Sequence, residues 1–308
     1  MTVIAPEGGG PPTVRDSFAP VTIRDVQSFW DAHPCDSTLS HARERRRFFE
    51  EIEQQRYRRQ PHIRGVARFS AFAGRRVLEL GCGVGTDGLQ FARAGAVYFG
   101  ADLSPSSAGL AQERFLHWSQ VARFSVVNGE TLPFADESFD HIYSFGVIHH
   151  SPDTAAIVAE FRRILRPNGS FCVMVYNRNS VNYHVEIMFL RKLARYLLYP
   201  PFAVPLLARV LNVDPTKLER HRHQLLAANL RTPEQWLSAN TDGPDCPLAR
   251  VYGAREVRRL FSAFRDVRTE VRHFDRDHWP FLGRLLPDSV VDWIGRRWGW
   301  HRIVYGRK

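Results

Sequence analysis

The stretch Val77-Leu78-Glu79-Leu80-Gly81-Cys82-Gly83-Val84-Gly85-Thr86 constrains this chain more than any other. A short apolar run carrying one acid meets a G-x-G-x-G turn, and a helix pattern from Asp87 to Ala94 follows directly. Strand, glycine turn and helix in that order make the first unit of a parallel α/β sheet. The glycines let the backbone approach a bound ligand where any Cβ would intrude. A second apolar stretch, Ala96 to Ala101, ends in Asp102. An acid at the tip of a second strand, about 20 residues past the first glycine, is the usual partner of ribose hydroxyls in nucleotide-binding α/β folds.

The alternation continues along the chain. Apolar runs predict strands near 76–80, 96–101, 122–127, 139–145 and 170–176, and helices near 86–94, 105–118 and 154–165. Val121 to Val127 is apolar at most positions, as a strand covered on both faces would be. Asn168-Gly169 reads as a helix stop and turn. Before this core, residues 21–75 carry helix patterns and form a predicted helical cap, and residues 1–20, rich in Gly and Pro, read as a disordered tail. After Tyr176 the alternation stops, and residues 177–250 read as several helices broken by Pro200, Pro201 and Pro205. A helix near 254–264 and strands near 266–274 and 300–307 then complete the sheet within residues 251–308.

Four segments in order carry a family resemblance: Glu79-Leu80-Gly81-Cys82-Gly83-Val84-Gly85-Thr86; Gly100-Ala101-Asp102-Leu103-Ser104; Asn128-Gly129-Glu130-Thr131-Leu132-Pro133-Phe134 with Ser144-Phe145-Gly146-Val147-Ile148-His149-His150; and Leu165-Arg166-Pro167-Asn168-Gly169 before a strand. Together they resemble a class I S-adenosylmethionine-dependent methyltransferase of the common methyltransferase-domain type. A dinucleotide fingerprint would read G-x-G-x-x-G, whereas Thr86 follows Gly85 here. The resemblance implies an α/β, Rossmann-like, seven-stranded, mostly parallel sheet, closed by an antiparallel hairpin. It also implies that residues 177–250 are a helical insertion after the fifth strand, serving as a substrate lid.

The resemblance further implies S-adenosyl-L-methionine as cofactor and assigns residues to it. Glu79, Gly81 and Gly83 approach the methionine part, Asp102 and Leu103 the ribose, and Asn128, Gly129 and Glu130 the adenine. Phe145 and Gly146 lie beside the methionine chain, and Tyr57 sits on a capping helix. Methyl transfer from a sulfonium is a one-step displacement that needs alignment, with a base where the acceptor starts as OH or NH. His149 and His150 follow a strand end and are the first candidates for that base, with Tyr176 next to them in rank. Asn177, Arg178, Arg250 and Tyr252 are candidate substrate contacts. Adjacent histidines point apart, and no carboxylate or thiol spacing completes a metal site, so no metal is expected.

Charge narrows the acceptor. The net charge is +10; residues 177–308 carry 23 Lys+Arg against 13 Asp+Glu, so the second part of the chain holds the whole excess. Only Lys192, Lys217 and Lys308 are lysines. Arginine forks suit an anionic small molecule. A nucleic-acid-directed methyltransferase is the alternative the charge suggests, although no basic run extends beyond Arg45-Arg46-Arg47 and nucleic acid is not expected as a partner. A non-catalytic cofactor-binding partner is the third reading. Cys35, Cys82, Cys172 and Cys246 form no C-x-x-C pair and read as reduced thiols of a cytoplasmic protein. The N-terminus shows no secretory pattern, and no apolar run reaches the roughly 18 residues of a transmembrane segment.

Overall fold

In β1 (Arg76–Leu80) successive side chains point to opposite faces of the sheet, and both faces are dry. Leu78 and Leu80 join one apolar cluster with Ile142, Phe161, Phe171 and Val173, while Val77 joins another with Phe91, Tyr143 and Met174. Burial on both faces is why the central strands read as continuous apolar runs. This computed structural model describes residues 20–308 except 194–197, 199, 201, 212–213, 227–231, 244, 275–278 and 280–281. The predicted tail, Pro20 apart, lies outside the described residues.

Around β1 the sheet is α/β and mostly parallel. β2 (Val97–Asp102) and β4 (Phe139–Phe145) flank β1, β3 (Arg123–Val126) lies outside β2, and β5 (Leu165–Asn177) lies outside β4. β7 (Arg265–Arg272) and β8 (His301–Arg307) close the sheet in the order β3-β2-β1-β4-β5-β8-β7, with β8 antiparallel to both its neighbours. The expected seven strands are joined by an eighth, β6 (Val251–Tyr252), which pairs with β5 at Tyr176 and Asn177, past the end of β4. β3 corrects one expectation: it is an edge strand, with Val121 and Val126 exposed, so its apolar run does not mark two covered faces. At Asn168 the chain bulges in the left-handed region, at φ 63°. Leu165 already pairs with Phe139 and Ser170 with His141, so the expected turn is an excursion within β5.

The crossover helices are α4 (Thr86–Arg93), α5 (Pro105–His117) and α6 (Thr154–Ile164). Ser104 caps α5 by accepting from Ser107 N, with Pro105 in its first turn, and Asp153 caps α6 through Ala156 N. The N-terminal segment supplies α1 (Ile23–Ala32), α2 (Arg45–Arg59) and α3 (His62–Ala67), and α1 and α2 each pack against α5. Residues 177–250 follow β5 as a helical insertion. It holds a π-helical stretch, Asn182–Leu190, and helices Ala203–Leu211, Pro215–Leu226 and Pro233–Ala239. Trp236 fastens it by donating its indole N–H to Ile187 O at 2.8 Å. The insertion does not bury its whole apolar face: Phe189, Leu193, Phe202, Leu206 and Val210 are exposed. Among the described residues no helix is long and apolar enough to cross a membrane.

Candidate active site

The carboxyl ends of β1, β2 and β4 open onto a cleft of about 1000 Å³, its open mouth included. Ligands of open parallel sheets bind at this edge. The turn after β1 forms its floor. Gly81 sits at φ 77°, and a Cβ there would lie 2.1 Å from Val147 Cγ2. Gly83 lies at φ 51°, and its N–H donates to Asp102 Oδ2 at 2.8 Å, locking the turn to the tip of β2. Asp102 Oδ1 accepts from Ser104 N at 2.9 Å. A carboxylate has about four lone-pair positions, so Asp102 keeps acceptor capacity toward the cleft that it lines. Leu103, Gly129, Phe145 and Gly146 line it too, and Gln27 of α1 donates to Leu103 O at 2.9 Å.

Four carboxyl groups, Asp36, Glu79, Asp87 and Asp102, border this cleft with a single guanidinium, Arg56. Arg56 holds Asp87 through Nη2 at 2.7 Å and Asp36 through Nη1 at 2.8 Å. Tyr57 and Tyr143 also donate to Asp87, at 2.9 and 3.0 Å. Burial works to raise the Asp87 carboxyl, but Arg56 and the two phenols outweigh it and hold it below the usual carboxylate range. Glu79 and Asp102 have no cation of their own. Burial pushes both upward, Glu79 far more so because Asp87 stands nearby, while Tyr98 donates to Glu79. A cationic ligand would relieve that burial, and one with vicinal hydroxyls would fit Asp102. S-adenosylmethionine carries a sulfonium, an ammonium and a ribose, so the residues present suit it.

Other predicted residues fall elsewhere. Tyr57 is buried and donates to Asp87, and it is not among the residues that line the cleft. Asn128 lines the cleft, but its Oδ1 accepts from Glu130 N at 3.0 Å in a local turn. Glu130 does not line it; its Oε1 accepts from Ser151 Oγ and from Asp153 N, pinning the loop after β4. Of the paired histidines only His150 borders the cleft. His149 is fully buried behind it, its ring 3.9 Å from that of Tyr176, and both its ring nitrogens lack partners. Burial, then His150, holds His149 well below the usual histidine range. Tyr176 stacks on Trp300 and donates to Asp242 Oδ1 at 2.8 Å rather than lining the cleft.

The four predicted substrate contacts instead hold the insertion and the C-terminal segment to the core. Asn177 donates to Gly299 O at 2.8 Å and accepts from Arg302. Arg178 pairs with Glu256 at 2.9 Å. Arg250 donates to Ser151 O and Pro152 O, and Tyr252 OH meets Thr154 Oγ1 at 2.9 Å. Arg178 and Arg250 are thus engaged by the chain itself. Sequence reasoning missed Asp36, Arg56, Asp87 and Trp30 at the cleft. Asp87 had a signal, an acid in the first turn of the helix after the glycine turn; the others had none beyond membership of helix patterns or loops. Asp242, in a polar turn of the insertion, stands with its Oδ2 3.5 Å from His150 Nε2. His150 Nδ1 meets Leu248 O at 2.6 Å, and Trp30 packs edgewise on its ring.

Comparison with known proteins agrees with this geometry. Residues 78–173 match a family described as a methyltransferase domain. Methyltransferase GfsG of Streptomyces halstedii is 35% identical over 109 residues, which cover 34% of this chain and 39% of that protein. A demethylmenaquinone methyltransferase of Tropheryma whipplei (strain Twist) is 29% identical over 147 residues, 48% of this chain and 57% of that protein. The matches therefore span about half or less of these relatives. Among solved structures, the [4+2]-cyclase SpnF superimposes with a TM-score of 0.53 at 15% identity, over 93% of this chain and 96% of that one. That likeness is one of fold, and fold alone leaves the chemistry to the site. With the glycine turn, the acid after β2 and the segment after β4 in their places, residues 78–173 match a methyltransferase domain and resemble the class I S-adenosylmethionine-dependent methyltransferases.

Proposed function

We propose that this protein transfers the methyl group of S-adenosyl-L-methionine to a small-molecule acceptor, as in natural-product or glycan biosynthesis. The observation that carries this reading is the cleft with its acid excess at the ends of β1, β2 and β4. When bound, the cofactor supplies an electrophilic methyl on sulfur. Asp102 accepts from the ribose hydroxyls, and Glu79, with the Gly81–Gly83 turn, meets the methionine part. Asn128 and Gly129 would meet the adenine, Leu103 the ribose, and Phe145 and Gly146 the methionine chain. Holding acceptor and methyl carbon in line contributes on the order of 7–11 kcal/mol. The acceptor's proton leaves near His150, which borders the cleft.

Residues 177–250 act as the substrate lid, tied to the core by Arg250 and braced internally by Trp236. With Arg178 and Arg250 engaged by the chain, we assign neither to an anionic group of the acceptor. Four free thiols suit a reducing compartment, which we take to be the cytoplasm. Isothermal calorimetry with S-adenosylmethionine and with its demethylated product tests the reading. One equivalent of each should bind, while a nicotinamide dinucleotide should not. Absence of heat from both sulfur ligands would overturn it.

A further inference from the structure

We propose that His150 Nε2, Asp242 Oδ2 and Cys246 Sγ bind one zinc-class divalent cation beside the cleft. The three atoms lie within 4.8 Å of one another. His150 Nε2 and Asp242 Oδ2 are both buried, 3.5 Å apart, and neither has a hydrogen-bond partner. The His150 side chain is only 4% exposed. Its Nδ1–H is committed to Leu248 O, so Nε2 offers a lone pair. The carboxylate opposite offers only lone pairs as well. The two atoms face each other beside the Cys246 thiol, which donates to Leu248 O at 3.5 Å rather than to either of them, an arrangement a cation resolves. Zn–N and Zn–O bonds of about 2.0–2.2 Å at a tetrahedral angle put those two atoms roughly 3.4 Å apart. Imidazole, carboxylate and thiol together are a set that zinc accepts.

The outer partners of such a site are also in place. Metal-binding histidines usually donate their other N–H to a carbonyl or carboxylate, and ligating carboxylates are themselves hydrogen-bonded. Leu248 O serves His150, and Tyr176 OH serves Asp242 Oδ1. The Cys246 thiol donates to Leu248 O at 3.5 Å, and it must give up that proton to ligate as a thiolate, so binding releases one proton. Sequence spacing could not reveal this set, because Asp242 and Cys246 come from the insertion and His150 from the loop after β4.

Three protein ligands leave a coordination position for water or for the acceptor. Here the inference rests on the methyl-transfer reading. An acceptor hydroxyl or thiol held at that position would be acidified and would give its proton to water, leaving its electron pair free to displace the cofactor's sulfur, which would keep the carbon–sulfur pair. In that role His150 is a ligand, and the acceptor class is a hydroxyl or thiol compound.

The test uses the full chain, stripped with a chelator and titrated with Co²⁺ and then Zn²⁺. We expect one equivalent, ligand-field bands of a tetrahedral ion with a thiolate charge-transfer band, and release of one proton. Cys246→Ser should abolish the thiolate band and weaken binding at least about 100-fold, and Asp242→Asn should do likewise. Tyr176→Phe should weaken it roughly 10-fold, and Cys35→Ser should leave it unchanged. Circular dichroism of each variant separates loss of ligand from loss of fold. A wild-type protein that gives no tetrahedral bands, or Cys246→Ser retaining the thiolate band, overturns the site. Calorimetry with S-adenosylhomocysteine on the stripped protein keeps the two readings apart. Cofactor binding without metal binding sinks only the ion, and the converse sinks only methyl transfer.

Discussion

Asp102 joins two tasks in one side chain: it fixes the glycine turn through Gly83 N and presents acceptor positions to the cleft. Asp102→Ala should weaken cofactor binding at least about tenfold by calorimetry, about 1.4 kcal/mol, because a buried acceptor is lost and its backbone donors are left unpaired. Unchanged affinity would refute the ribose placement. Gly81 is the sharper steric case. Both its positive φ and the 2.1 Å approach of Val147 Cγ2 to a built Cβ forbid a side chain. Gly81→Ala should cost about 3 kcal/mol of stability, from backbone strain plus overpacking, read as a lower midpoint in urea. An unaltered midpoint would show that the turn relaxes freely.

At the scale of elements, Arg56 couples α2 to α4. Its guanidinium reaches Asp87 in the first turn of α4 and Asp36 in the loop before α2. Asp87 is buried and depends on that partner. Arg56→Met should therefore lower stability by about 3–5 kcal/mol, since it leaves an uncompensated buried carboxylate. The double variant Arg56→Met with Asp87→Asn should recover part of that loss. If the single variant melts like the wild type, the helical cap is not held by this pair. These couplings also show where sequence reading stops. The helix containing Tyr57 was legible from its apolar spacing, with buried Phe48, Phe49 and Ile52 on its inner side. Periodicity says which face is buried but not what that face meets. The spacing could not reveal that Tyr57 donates to Asp87.

For the molecule as a whole, the interior holds an unusual set of neutral histidines. Burial holds His62 and His141 down to about 3, and holds His149 and His301 well below the ordinary histidine range. Each binds a proton less readily in the folded state than in the unfolded chain, whose histidines titrate near 6.5. Their contribution is thus complete above about pH 6.5 and is lost as pH falls from there toward 3. Urea denaturation at pH 7.5 and pH 5 should show stability falling by at least about 2 kcal/mol, and His149→Phe should lessen the fall. A midpoint that does not move over this range would contradict their burial as neutral groups.

The strand–turn–helix signals determined the fold by themselves. Glycine spacing, the acid at the end of β2 and uninterrupted apolar runs are local requirements of backbone and burial, so they survive in one dimension. They located Glu79, Gly81, Gly83, Asp102, Phe145 and His150 at the cleft without coordinates. Only the tertiary structure decided the rest. It set His149 behind Tyr176, engaged Asn177, Arg178, Arg250 and Tyr252 in anchoring the insertion and C-terminal segment to the core, and brought Asp242 and Cys246 to His150. The physical reason is that these side chains are polar groups whose partners lie far along the chain. What such a group does depends on which donor or acceptor the packing brings within about 3 Å, and no local pattern encodes that distance.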